Sequence, residues 1–75
     1  MKHLIEFRAD AKVVIEQGGV STRIGIRRGA QCQAQVRCYV IYRHERYVEV
    51  ADVEVNEGLL RGLPCSHFMF IDRMD

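Results

Sequence analysis

Cys65-Ser66-His67 sets a thiol and an imidazole two residues apart, the nearest approach in this chain to a nucleophile beside its base. On a strand those side chains point the same way, so a Cys–His pair is available geometrically. No third group that would orient the imidazole and no oxyanion donors are identifiable around it. A cysteine directly after Pro64 reads more simply as a small buried apolar residue. Zinc would need Cys65 and His67 to be joined by Cys32 or Cys38, whereas structural zinc sites pair their ligands at short spacing. His3 and His44 have no suitable neighbours. "GIRRGAQ" has neither the dinucleotide-binding glycine spacing nor a Walker lysine, so its glycines read as turn residues. The sequence therefore predicts no catalytic residue, no metal and no cofactor.

The arginines are a second candidate. Residues 19–46 hold six of them against Glu45 alone, while residues 47–75 hold six acids against Arg61 and Arg73, and the net charge is only +1. Arg23, Arg27, Arg28, Arg37 and Arg43, with Tyr39, could track phosphates and stack bases on one sheet face. Two lysines, near-neutral charge and the lack of an aromatic RNA-recognition signature weaken that reading. Complementary strands within one fold would produce the same asymmetry. Glu49, Asp52, Glu54 and Glu57 read as a solvated edge that discourages unwanted strand pairing.

The elements that must position these groups are strands. Period-two alternation dominates from residue 3 onward, and Pro64 is the only proline. Gly18-Gly19 suits a type I′ hairpin opposing Ala11 to Ile26, Val13 to Ile24 and Ile15 to Thr22. Three β-branched residues, Val13 to Ile15, favour strand over a helix that would begin at Asp10. A three-residue turn, Arg28-Gly29-Ala30, would oppose Ile26 to Cys32. "QCQAQVRCYVIYR", residues 31–43, then forms the central strand, with Cys32, Ala34, Val36, Cys38, Val40 and Tyr42 facing a core. An odd loop near "HER" keeps Val40 with Val50 and sets Val53, Ala51, Glu49 and Tyr47 opposite Arg37, Tyr39, Ile41 and Arg43. Asn56 can cap a short helical turn at about 56–62, and "SHFMFID" reads as a last strand. The expected fold is mainly β: about five antiparallel strands in a meander, forming a small bent sheet or barrel in a single domain, residues 1–75.

A chain of 75 residues with 48% hydrophobic and 28% charged composition can bury only a thin core, and such domains often gain burial by forming homodimers. No apolar run reaches the roughly 18 residues that span a bilayer, and "MKHLIEFRAD" is not a secretory leader. An odd number of cysteines fits a reducing compartment, so the cytoplasm is expected, without a membrane. Cys32 and Cys38 lie about 20 Å apart along one strand, too far to bridge within it. Tyrosine and arginine around an apolar centre is the composition of protein interfaces, which singles out Arg37, Tyr39, Ile41, Arg43, Tyr47 and Val53. The sequence thus points first to a non-enzymatic module that binds another protein or itself. A nucleic-acid-binding domain is the alternative, and a Cys65/His67 enzyme a remote one.

Overall fold

Short connections force this chain into a strongly curled sheet. The computed structural model describes residues 2–73, which form β1 (His3–Phe7), β2 (Ala11–Gln17), β3 (Val20–Ile26), β4 (Gln31–Arg43), β5 (Arg46–Val55), β6 (Gly58–Pro64) and β7 (Phe68–Arg73). All pairings are antiparallel, in the order β3-β2-β6-β5-β4-β1-β7. β1 and β2 sit four places apart in that order, as do β3 and β4, and β6 and β7. In a flat sheet four places span about 19 Å. The three-residue link from Pro64 to Phe68 reaches about 14 Å even when fully extended, and less as the 3₁₀ turn Cys65–His67 that it adopts. The sheet must therefore wrap so that these ends meet, and it does so without closing.

The concave side holds the core. Ile5, Phe7, Ile15, Ala34, Ala51, Val53, Leu60, Leu63 and Phe68 are buried there, with Val13, Ile24, Ile26, Cys32, Val36, Val55 and Cys65 packed against them. Residues from both ends of the strand order meet in this cluster, as the curl requires. Gly58 permits the tightest approach. At φ +144° it lies beneath the Glu16 carbonyl, in space that a side chain would fill, where β6 meets β2 through Leu60–Ile15 and Leu59–Glu16.

The mainly β, antiparallel class agrees with the sequence reading, as does the Gly18-Gly19 hairpin with its three expected pairs. Residues 11–17 are strand, as their β-branched run favours. Four details differ. There are seven strands among the described residues rather than five. The order is not a simple meander, because β3 does not pair with β4 across Arg28-Gly29-Ala30: β1 takes that side of β4 instead. The helical turn lies at 65–67, while Gly58–Pro64 is strand, because Leu60 and Leu63 each bury on the core face. Ser66 and His67 belong to that turn and not to the last strand.

The fourth difference bears on function. His44-Glu45 is a two-residue turn with both residues at positive φ, 53° and 62°, so the loop is even and not odd. Tyr39 therefore opposes Val50, Ile41 opposes Val48, and Tyr42 opposes Tyr47. The one-residue shift moves every side chain of β5 to the other face relative to β4.

Candidate functional site

β4 outgrows its neighbours. It has thirteen residues, yet β1 pairs only with its first four, Gln31 to Ala34. β6 joins β5 only from Val50 onward. Val40–Arg43 and Arg46–Glu49 consequently form a two-stranded arm with no strand beside it on either side among the described residues. Past Cys38, which meets Cys65, the core face of β4 continues along this arm as Val40 and Tyr42. Val40 is 56% exposed, Tyr42 64% and Tyr47 78%. The Tyr42 and Tyr47 rings face each other across the strands with centroids 5.1 Å apart. Aromatic pairs of this kind stabilise a ribbon by about 0.5–1.5 kcal/mol beyond their area burial.

On the opposite face the residues that sequence singled out are partly used by the fold. Tyr39 donates its hydroxyl to Asp52 Oδ1 at 2.9 Å, and the Gly62 N–H donates to the same oxygen at 3.0 Å. The ladder shifts between Ala51 and Val53, so Arg61 and Gly62 bulge opposite Asp52, with Gly62 at φ +66°. The Gly62 N–H foremost, with the Tyr39 hydroxyl, Arg61 and Arg37, holds the Asp52 carboxyl below its ordinary range, against the opposing effect of burial. The same hydrogen bond pushes the Tyr39 phenol up. Arg61 in turn pairs with Glu16 at 2.6 Å. This network locks β2, β6, β5 and β4 together, and it makes Tyr39 first a structural residue.

The observed register divides the predicted interface set. Arg37, Tyr39, Ile41 and Arg43 share the outer face, Tyr47 moves to the Val40/Tyr42 face, and Val53 is a fully buried core residue. The expectation that Tyr47 and Val53 accompany Tyr39 is thus corrected by the even turn. Val40 and Tyr42 were assigned to the core from their alternation, and nothing but strand length could have shown that they outrun it. The arginines are dispersed in the strand order. Arg23 lies on edge strand β3 and Arg27 and Arg28 just beyond it, whereas Arg37, Tyr39 and Arg43 lie four places away on β4. The Arg28 backbone N–H donates to Asp10, fixing that connection.

Cys65 is an unpromising nucleophile. Burial, aided by a hydrogen bond with Cys38, pushes its thiol up to about 11, away from the thiolate that attack requires. Burial likewise raises Cys32. All three cysteines are free. Among the described residues no group of three His, Cys, Asp or Glu side chains converges on a metal position. No helix among them is long and apolar enough to cross a membrane. A cleft of about 450 Å³ opens where β2 and β6 diverge, between Lys12, Val14, Arg61 and His67, but its Glu16 and Arg61 neutralise each other. Compared with known proteins, the chain matches no family model, no curated protein and no solved structure.

Proposed function

We propose that this chain is a small non-enzymatic protein-binding module, acting in the cytoplasm on another protein or on a second copy of itself through the β4–β5 arm. One observation carries the reading: Val40, Tyr42 and Tyr47 stand more than half exposed together on one face of a ribbon that leaves the core. Exposed apolar and aromatic side chains grouped in this way characterise binding surfaces, because water is most readily displaced from them. The predicted residues Ile41 and Arg43 lie on the outer face of the same arm, where Arg43 would supply a charged rim. The nucleic-acid reading is less well supported, since Arg37 and Arg43 lie six and twelve residues along β4 from the Gln31 end that Arg27 and Arg28 adjoin.

The test places a photo-crosslinking phenylalanine analogue at Val40 and irradiates the full chain in host lysate, with and without nuclease, and also alone. A protein adduct or a self-adduct is expected, insensitive to nuclease and reduced at least tenfold by Tyr42→Ser with Tyr47→Ser. A wild-type level of adduct in that folded variant, or loss of the adduct on nuclease treatment, refutes the proposal.

A further inference from the structure

Resting on that reading, we infer that the free edge of β4, Gln35–Arg43, accepts an added β-strand from a partner whose extended segment carries carboxylates spaced to meet Arg37 and Arg43. Beyond Ala34 no strand lies on this side of β4 among the described residues, so alternate residues turn their N–H and C=O groups outward unpaired. Soluble proteins usually protect such an edge with charged side chains, lysine above all, with proline or with a bulge, and here only Arg37 and Arg43 are charged. Gln35–Arg43 has no lysine and no proline, and its ladder with β5 runs unbroken from Gln35 to Arg43.

Charge selects the occupant. β4 contains Arg37 and Arg43 and no acid; Arg37 stands opposite Asp52, whereas Arg43 has no carboxylate opposite it. Arg43 stands directly opposite Arg46, and neither has an ion-pair partner among the described residues. Like charges opposed across a ladder destabilise it, so a carboxylate laid beside them is favoured. Arg37 and Arg43 share one face six residues apart, with Tyr39 and Ile41 between them. A complementary strand therefore carries acid, apolar, apolar and acid at every second position. A second copy is a poor match. Two-fold antiparallel pairing sets β4 against itself, and every such register lacks an acid, while the one centred on Val40 opposes Arg37 to Arg43. Nucleic acid has no backbone amides to complete the edge.

The test measures fluorescence anisotropy of a labelled Glu-Thr-Val-Thr-Val-Thr-Glu peptide with the full chain at low salt. A peptide with lysine replacing both glutamates, and two versions N-methylated on alternate residues, serve as comparisons. The acidic peptide is expected to bind at least tenfold tighter than the lysine peptide. One N-methylated version loses at least tenfold and the other does not, because only one set of amides faces β4. Arg43→Glu with Arg46→Glu reverses the charge preference. The N-methyl comparison stands even if that variant fails to fold. No binding at millimolar peptide, equal binding of both charges, or indifference to N-methylation overturns the inference, as does a dimer in sedimentation or an oligouridine complex that the arginine reversal abolishes. If the peptide fails while the Tyr42/Tyr47-dependent protein adduct persists, the acidic strand is wrong and the protein-binding reading survives. If both fail, both fall.

Discussion

Replacing Gly58 by alanine tests the curl on which the whole arrangement depends. A methyl group at this position would press on the Glu16 carbonyl oxygen, with the Glu16 carbonyl carbon and an Ile15 side-chain carbon each only 3.1 Å away. Backbone cannot yield as a flexible side chain would. Overpacking of this kind costs about 1–3 kcal/mol. The backbone at φ +144° adds about 1–3 kcal/mol for any residue with a Cβ. The sum is roughly 2–6 kcal/mol, against about 4–11 kcal/mol of total stability for a chain of this length. Urea titration followed by circular dichroism should show that loss, and thermal melting a drop of roughly 10–45 °C. Gly25→Ala is the control. It lies on edge strand β3, outside the positive-φ region and in open space, and should change stability by about 0.5 kcal/mol or less. A Gly58→Ala variant within about 0.5 kcal/mol of the parent would show that β6 does not pass beneath Glu16, and the close approach of β2 and β6 would have to be abandoned.

Two further substitutions probe the arm and its anchor. His44→Asn with Glu45→Gly should stabilise by about 1 kcal/mol, because an L-residue in the left-handed region costs about 1–2 kcal/mol and glycine's greater unfolded freedom returns only part of the gain. Destabilisation in the same melts would contradict a two-residue turn and revive the odd loop. Asp52→Asn should destabilise by about 1–2 kcal/mol at pH 7, since the Tyr39 and Gly62 hydrogen bonds lose their charged acceptor. Because the folded carboxyl is held low, its contribution is present above the ordinary aspartate value of about 3.9 and is lost as pH falls through the lower folded value. Urea curves should therefore draw parent and variant together as pH is lowered from 7 into the acid range, and a difference that stays constant throughout would exclude the ionised hydrogen bond as its source.

What the sequence could reveal depended on the range of the interaction. The Gly18-Gly19 hairpin was legible because two adjacent glycines specify a local turn, and the apolar pairs Val13–Ile24 and Ala11–Ile26 confirm its register. The His44-Glu45 turn was not legible, because neither residue advertises a positive φ and parity arguments assumed that every apolar residue of β4 faces a core. That assumption fails where a strand extends past its neighbours. The pairing of β1 with β4 was equally hidden, since "HLIEF" could join any strand and only the curl decides which one it meets. Gly58 carried no legible signal either: its environment is the Glu16 carbonyl, forty-two residues earlier in the chain.

The arm concentrates features that local physics disfavours. It places three large side chains in water, holds His44 and Glu45 in left-handed conformations and opposes Arg43 to Arg46. Elsewhere among the described residues Val20 and Met69–Ile71 are also exposed, but glycines occupy the other positive-φ positions and the core holds no buried polar residue. Shortening β4 and β5 by a few residues would remove every one of these costs, because the core ends near Cys38 and Ala51 and the Asp52 network lies on its near side. Sequences commonly retain such local conflicts where binding requires them. A ribbon that runs past the core, leaving its edges unpaired and one face apolar, has an evident use in the presence of a partner strand. The same strand would satisfy the edge of β4, flank Val40 and Tyr42 at that edge and set a carboxylate beside Arg43, so one occupant bears on three separate defects.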